Sequence, residues 1–179
     1  MQFKSTELDG LYEIILPRFT DDRGSFTRTF ATPFFEEAIW YVPVWRETFY
    51  SISKKNVIRG MHFQIPPSDQ DKLVYVISGV IDDVVLDIRK NSPTYGKYIV
   101  RELSFENQKA LFIPKWFAHG FLSKNENSIV AYMVSESWDP ACDVGICFDS
   151  FGYDWWILDP IVSDKDKKHS SLSEFTSPF

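Results

Sequence analysis

The feature that most constrains the fold of this chain is its succession of short apolar segments separated by turn-forming residues. The segments are rich in Val, Ile, Phe and Tyr, residue types that favour strands. Stretches such as DDRGS, NSPTYG and SKNENS separate them and predict turns. Strands are predicted at residues 11–17, 73–78, 80–88, 98–103, 110–114, 120–123 and 128–135. Many short strands at this spacing indicate an all-β sandwich or barrel and favour a jelly roll with a few short helices.

Three other stretches bear on the organisation of the chain. Residues 32–40 (TPFFEEAIW) predict a short helix, and Ser78-Gly79, between two strand-like runs, predicts a tight hairpin. The polar segment from about residue 157 predicts a surface extension or an arm over a neighbouring subunit. The length of 179 residues suits a single domain covering residues 1–179.

The composition argues against several classes of function. A formal net charge of −6 and the absence of a basic run argue against binding to a nucleic-acid backbone. No apolar run approaches the roughly 18 residues of a membrane span, and the start MQFKSTELDG lacks the apolar core of a signal peptide. Cys142 and Cys147 fit neither a redox nor a zinc motif and are predicted to be reduced thiols. These features predict a cytoplasmic protein that binds neither nucleic acid nor membranes.

His62, in the segment RGMHFQ, is open to three interpretations: a hydrogen-bonded core histidine, a metal ligand, or a base. In an extended strand it would share a face with Gly60 and Gln64. Metal-binding cupins use an H-x-H pair, and Gln64 stands where the second histidine would be. His119, in IPKWFAHGF, fits the second cupin motif P-x-G-x-x-H except that Trp116 replaces the glycine. One histidine per motif is too few for a metal site, so neither metal nor cofactor is predicted.

The interpretation of His62 as a base accounts for more of the sequence. Lys72 begins a strongly apolar strand, and Asp83 lies inside VIDDVVLDI, where a charge is costly unless it is paired. Tyr132 lies in the middle of SIVAYMVS. Each alone could be structural: a strand end, a buried pair or a core aromatic residue. Together with the two histidines they would line a polar interior suited to proton transfer.

Five segments in this order and spacing, from about Leu8 to Lys168, resemble the dTDP-4-dehydrorhamnose 3,5-epimerases: DDRGSF, IRGMHFQIPPSDQDKLVYVISGVIDDVVLDIR, SPTYG, IPKWFAHGF and VSDKD. The resemblance implies a cupin-like double-stranded β-helix that uses no metal. It implies an isomerase that inverts C-5, C-3 or both of a nucleotide-linked 4-keto-6-deoxy sugar, for a surface polysaccharide or a glycosylated metabolite. It also implies a homodimer whose protomers exchange N-terminal strands.

The resemblance implies a role for each matching residue. His62 matches the general base, and Asp166 the aspartate that orients it. Lys72 matches the lysine beside the substrate carbonyl, and Tyr132 the acid on the opposite face of the sugar. The expected substrate-binding positions are Arg23, Phe26, Arg28, Glu47, Phe49, Arg59, Gln64, His119 and Trp138, with Asp83 paired to His119.

Four of these positions depart from the family pattern. Arg28 stands where members usually have Glu, Glu47 replaces Gln, Phe49 replaces Asn, and Trp138 replaces Tyr. Because the four positions are expected near the nucleotide or the sugar, they leave the identity of the substrate open. Two other functions also remain open. One is a catalytically silent nucleotide-sugar-binding cupin, which would not need the full catalytic set. The other is a metal-dependent cupin enzyme, which the missing H-x-H pair disfavours.

Overall fold

The computed structural model describes residues 1–39 and 41–179, and most of the regular structure in these ranges is β-strand. The strands are β1 (Gln2–Ser5), β2 (Tyr12–Ile15), β3 (Arg18–Asp21), β4 (Gly24–Thr27), β5 (Glu47–Ser53), β6 (Val57–Gln64), β7 (Lys72–Ser78), β8 (Val80–Asp87), β9 (Tyr98–Ser104), β10 (Lys109–Ile113), β11 (Phe117–Ser123), β12 (Ser128–Val134), β13 (Asp143–Gly145) and β14 (Ile161–Val162). One α-helix, α1 (Thr32–Ala38), and one 3-10 helix (Asp166–Lys168) complete the described elements. The all-β prediction is therefore confirmed.

The strands form two large sheets that pack face to face. The first sheet has the order β1-β2-β10-β7-β12-β5, and the second has the order β13-β6-β11-β8-β9, with β14 pairing to β6. Strands β3 and β4 form a separate hairpin. One buried cluster draws side chains from both sheets, including Val76 and Val130 from the first and Val85 and Phe121 from the second. This arrangement is the predicted jelly roll.

Two further apolar clusters cover the outer faces of the sheets. On the first sheet, Phe35 of helix α1 is fully buried and packs edge to face against Phe112 of β10, with ring centroids 5.8 Å apart. On the second sheet, Phe175 and Phe179 from the C-terminal segment pack against Phe63 of β6. The end of the C-terminal segment therefore packs against its own chain, whereas Leu158 earlier in the segment is fully exposed.

The hairpin predicted at Ser78-Gly79 is wrong. Strand β7 ends at Ser78 in the first sheet, and β8 begins at Val80 in the second sheet, so the two strands do not pair. Gly79 has φ +85°, and a Cβ there would lie 2.6 Å from the Ser128 hydroxyl. A glycine is needed because the chain turns sharply past a neighbouring strand as it crosses between the sheets.

The helix predicted over residues 32–40 is observed as α1, Thr32–Ala38, and Trp40 lies outside the described residues. Pro33 near its first turn suits a helix start. Among the described residues, no helix has the length and apolar character needed to cross a membrane.

Candidate active site

A cavity of about 300 Å³ lies between the two sheets and contains most of the residues predicted to carry chemistry. The first sheet contributes one wall and the second sheet the other. Its lining consists of Phe49, Ser51, Lys72 and Tyr132 from the first sheet, Arg59, His62, His119, Phe121 and Asp143 from the second, and Gln70, Trp138 and Lys165 from loops. His62 and Tyr132 therefore belong to opposite sheets that share one cavity.

A bulge in β6 brings Arg59 and His62 to the same cavity. His62 pairs with His119 of β11, and Arg59 pairs with Phe121, so two residues of β6 oppose one of β11. Gly60 within the bulge has φ +130°, and a Cβ there would lie 2.5 Å from the β11 backbone. Only glycine allows so close an approach. Side chains three positions apart consequently line one surface.

Gln64 follows the bulge and is not among the residues that line the cavity. Its side chain is buried. Its amide donates to the carbonyls of Ser68 at 2.7 Å and Ser137 at 3.2 Å, and accepts the backbone N–H of Asp139 at 2.7 Å. Gln64 thus ties two loops together beside the site.

His62 and Asp166 form a hydrogen-bonded pair with Nε2 and Oδ1 2.8 Å apart. Asp166 begins the 3-10 helix and is buried, and its other carboxylate oxygen accepts the backbone N–H of Gly60 at 3.2 Å. Burial alone would raise the pKa of Asp166, but hydrogen bonding to His62 and the charge of that ring outweigh it, so the pKa lies below its usual value. An ionised Asp166 holds one nitrogen of the His62 ring as a donor.

Lys72 places a buried ammonium group beside His62. Its Nζ donates to the main-chain carbonyl of His62 at 3.0 Å. Burial lowers the pKa of Lys72 to about 8, against the opposing charges of Asp143 and Asp83. The side chain is therefore mostly protonated at neutral pH, and a cation lines the cavity where little water screens it.

Tyr132 presents a phenol from the opposite wall. Its ring stacks on Phe49, with centroids 4.8 Å apart and planes at 17°. Burial, and then the charge of Asp83, raise the pKa of Tyr132, so the hydroxyl keeps its proton and can donate it. Behind it, His119 and Asp83 form the predicted buried pair, with Nε2 and Oδ2 2.8 Å apart.

Trp138 lies at the mouth of the cavity, and both of its N–H groups are bonded. Its backbone N–H donates to Glu47 at 3.0 Å, and its indole N–H donates to Asp143, also at 3.0 Å. Lys165 also bonds Asp143. Trp138 is 62% exposed as a residue, so its two hydrogen bonds hold an aromatic side chain that still faces solvent.

Arg23, Phe26 and Arg28 are not brought to this cavity within one chain. Arg23 and Phe26 lie on the β3–β4 hairpin, where Arg23 pairs with Asp21 at 2.7 Å and Phe26 stacks on Phe19. The phenylalanines are exposed by 60% and 61%. Arg28 follows the hairpin and is also exposed.

Several residues of the site were missed by the sequence analysis. Asp143 and Lys165 line the cavity mouth, and Ser51, Gln70 and Phe121 line its walls. Lys165 directly precedes Asp166 in VSDKD, which was a usable signal. Asp143 follows a turn-like stretch, SWDPA, and carries no signal of its own.

The chain was compared with protein families and with characterised proteins. The family model described as dTDP-4-dehydrorhamnose 3,5-epimerase matches residues 5–174. The dTDP-4-dehydrorhamnose 3,5-epimerase of Methanothermobacter thermautotrophicus is 42% identical over 178 residues, covering 97% of this chain and 95% of that protein. The agreement therefore extends over nearly the whole length of both proteins.

Solved structures agree with the sequence comparison. The crystal structure of dTDP-4-dehydrorhamnose 3,5-epimerase from Sulfolobus tokodaii has a TM-score of 0.89 at 39% identity and covers 97% of each chain. The 3,5-epimerase from Legionella pneumophila, solved in complex with dTDP-4-keto-L-rhamnose, has a TM-score of 0.92 at 31% identity. That match covers 98% of this chain and 94% of the Legionella chain.

Proposed function

This chain belongs to the dTDP-4-dehydrorhamnose 3,5-epimerase family, and we propose that it inverts C-5, C-3 or both of a nucleotide-linked 4-keto-6-deoxy sugar at the cavity between its sheets. The observation that carries the proposal is that His62 of the second sheet and Tyr132 of the first sheet line one cavity from opposite walls, where we propose that they act as base and acid. Inversion beside a ketone needs a proton removed from one face of the carbon and returned to the other.

His62 is the proposed base. With Nε2 donating to the ionised Asp166, the free lone pair of the ring lies on Nδ1, which takes the proton from the carbon next to the ketone. Asp166 fixes the ring in this tautomer and stabilises the imidazolium ion that forms. The backbone N–H of Gly60 donates a hydrogen bond to the Asp166 carboxylate and holds it in place during the transfer.

Lys72 and Tyr132 are assigned the remaining steps. Removal of the proton moves negative charge onto the ketone oxygen, and the buried Lys72 ammonium stabilises that enolate. Tyr132 then donates its proton to the opposite face of the carbon. The resulting phenolate takes up a proton from solvent, and the His62 imidazolium ion releases its proton to solvent, which restores the site. No change of oxidation state occurs, so the sequence of steps needs no redox cofactor.

Three of the four departures from the family pattern occur around the acid and the cavity mouth. Phe49 stacks on Tyr132, and Glu47 accepts the backbone N–H of Trp138. Arg59, held by Ser53 and the carbonyl of Ile52, is the proposed partner of the substrate phosphates. This altered shell is the part of the site that selects the nucleotide and sugar.

We also propose that the active form is a cytoplasmic homodimer in which the β3–β4 hairpin completes the cavity of the neighbouring protomer. The hairpin exposes two stacked phenylalanines and Arg23, and it does not line the cavity of its own chain. Strand β5 lies at the edge of the first sheet with Tyr50 and Ile52 exposed, so it offers an apolar surface to a partner.

The reaction is tested by incubating the protein in deuterium oxide with a panel of dTDP-, CDP-, UDP- and GDP-linked 4-keto-6-deoxy sugars. NMR would report which carbons exchange and which epimer forms. We expect exchange at C-5, C-3 or both of one or more sugars. Binding of a nucleotide sugar with no exchange at either carbon would identify the chain as a silent binding protein and contradict the proposal.

The dimer is tested by subunit complementation. Arg23→Ala and His62→Ala are each expected to be nearly inactive. After unfolding and refolding as a mixture, a mixed dimer contains one complete site, because His62 comes from one protomer and Arg23 from the other. Activity well above that of either variant is expected, and its absence in a verified mixed dimer would contradict exchange of the hairpin.

A further inference from the structure

A second histidine adjoins the proposed catalytic pair and has no role in the proposed reaction. His169 follows the 3-10 helix, and its ring lies edge to face with that of His62, with centroids 5.8 Å apart. Its Nε2 lies 3.7 Å from Asp166 Oδ1. That nitrogen is shielded from solvent and has no hydrogen-bond partner within the described part of the chain. A buried nitrogen of this kind is costly unless something binds it.

The His169 ring packs against the backbone of Gly145 in β13, where the absence of a side chain leaves space for it. A Cβ on Gly145 of β13 would lie 2.5 Å from His169 Nε2, so a larger residue there would push the ring away. The His169 ring therefore stays beside the His62–Asp166 pair.

The three side chains offer a set of donor atoms that suits a transition metal. One ligand atom from each of His62, Asp166 and His169 lies within 4.8 Å of the other two. Zinc bound tetrahedrally to nitrogen and oxygen at about 2.1 Å separates its ligand atoms by roughly 3.4 Å. The measured separations of 2.8 Å and 3.7 Å from Asp166 lie on either side of that value. Small side-chain rotations would bring the three atoms around one ion.

We propose that His62, Asp166 and His169 form a binding site for a divalent zinc-type ion, and that occupation of this site stops proton transfer. Two imidazoles and one carboxylate are ligands that zinc prefers. This site differs from the H-x-H site of metal-dependent cupins, because its second histidine comes from the C-terminal segment.

Inhibition follows from the tautomer of His62 and rests on the proposed function. When the ion binds the Nε2 lone pair, the single proton of the neutral His62 ring moves from Nε2 to Nδ1, and the hydrogen bond to Asp166 is lost. A ring protonated on Nδ1 and bound to metal through Nε2 has no lone pair for the substrate. The ion also neutralises the carboxylate that would stabilise the imidazolium ion. Zinc would therefore remove the base without altering the fold.

The binding test uses zinc chloride and does not depend on activity. Zinc is titrated against a chromogenic chelator with the wild type, His169→Gln, His62→Asn and Cys147→Ser. His169→Gln keeps a donor within reach of Asp166 but removes the imidazole ligand. Cys147→Ser is the control for zinc binding elsewhere on the chain. Cys147 has a thiol outside any disulfide, and this thiol donates a hydrogen bond to Asp149. Thermal unfolding of each variant verifies that it is folded.

We expect the wild type and Cys147→Ser to bind one zinc per chain. We expect His169→Gln and His62→Asn to bind at least about 10-fold more weakly, since loss of even an outer-shell group costs 10- to 100-fold in metal affinity. Equal affinity in the wild type and His169→Gln, or no saturable binding at one equivalent, would overturn the site.

The inhibition test compares the rate with and without zinc for each protein. The wild type should lose activity and recover it on addition of a chelator, and His169→Gln should need at least about 10-fold more zinc for the same fractional loss. Equal sensitivity of the two proteins would overturn the inference. A protein that binds zinc through His169 but does not epimerise sustains the site and contradicts the proposed function. A protein that epimerises and ignores zinc contradicts the site alone.

Discussion

Replacing Lys72 with methionine separates what this side chain contributes to chemistry from what it costs in stability. The ammonium group is buried between the sheets and donates to the main-chain carbonyl of His62 at 3.0 Å. Methionine has a similar length and no charge. We therefore expect Lys72→Met to be much slower than the wild type but more stable at pH 7. The proposed catalytic role would explain why a buried charge that lowers the free energy of unfolding is present.

The magnitude follows from the pKa of Lys72. Burial lowers this pKa from 10.5 to about 8, which corresponds to about 3 kcal/mol of unfavourable free energy for carrying the charge in the folded state. Loss of the hydrogen bond to His62 costs about 1 kcal/mol. The expected net gain for Lys72→Met at pH 7 is therefore about 2 kcal/mol. Loss of the enolate-stabilising cation should lower the rate by roughly 100- to 1000-fold.

The sign of the pH dependence is fixed by the direction of the shift. Below pH 8 the lysine is charged in both the folded and unfolded states, so the penalty is fully present. Between about pH 8 and 10.5 the unfolded state binds more protons than the folded state, and the stability of the wild type rises with pH. The advantage of Lys72→Met should accordingly shrink between pH 7 and pH 10.

Urea unfolding of both proteins at several pH values measures these differences. Lys109→Met is the matched control, because Lys109 lies on β10 of the same sheet but is half-exposed and paired with Glu13 at 3.3 Å. Its removal should change stability by no more than about 1 kcal/mol and without this pH dependence. If Lys72→Met were less stable than the wild type at pH 7, or if its advantage did not vary with pH, the reasoning would be refuted.

Four further substitutions test other parts of the site and fold. Tyr132→Phe should retain deuterium exchange while epimer formation, followed by NMR, drops by roughly 100-fold; equal loss of both would mean that the tyrosine is needed to form the enolate. Asp166→Asn should lower the rate by on the order of 100-fold or more with substrate binding retained in calorimetry, and a wild-type rate would show that His62 needs no orientation. Trp138→Tyr should change the ratio of kcat/KM between sugars more than the exchange rate on the preferred one; an unchanged ratio would remove Trp138 from substrate selection. Trp116→Gly should raise the free energy of unfolding by about 1 kcal/mol, because Trp116 has φ +82°, a backbone conformation that glycine adopts without strain. Thermal unfolding should show a rise of roughly 2–4 °C in Tm. A fall in Tm would mean that packing of the indole outweighs the backbone strain.

The strands between the sheets were predictable because their side chains form apolar runs of the right length. Strand β12, for example, reads SIVAYMV and is mostly buried. Strand β5 was missed because it lies at a sheet edge, and its sequence ETFYSIS mixes polar residues with exposed apolar ones. The β7–β8 connection was misjudged because a strand pattern does not reveal which strand is its partner. That choice depends on contacts made far along the chain.

The residues of the candidate site also fall into a group that the sequence revealed and a group that it did not. Lys72, Asp83 and Tyr132 were recognisable as polar groups inside apolar strands, because burying a polar group is costly unless it is paired or has a function. Asp166 and His169 lie in a polar segment that composition assigns to solvent. They acquire chemical meaning only because that segment packs back against β6. Asp166 could be found through the family resemblance, whereas His169 could be found only in the folded chain.

The central claim is that His62 is the base that removes the proton, and solvent exchange tests it most directly. The wild type and His62→Ala are incubated with the preferred 4-keto sugar in deuterium oxide, and NMR follows uptake at C-3 and C-5. We predict uptake with epimer formation by the wild type. For folded His62→Ala that still binds the sugar, we predict a rate reduced at least roughly 100-fold. Exchange by His62→Ala at the wild-type rate would contradict the account, because the proton would then be leaving to another group.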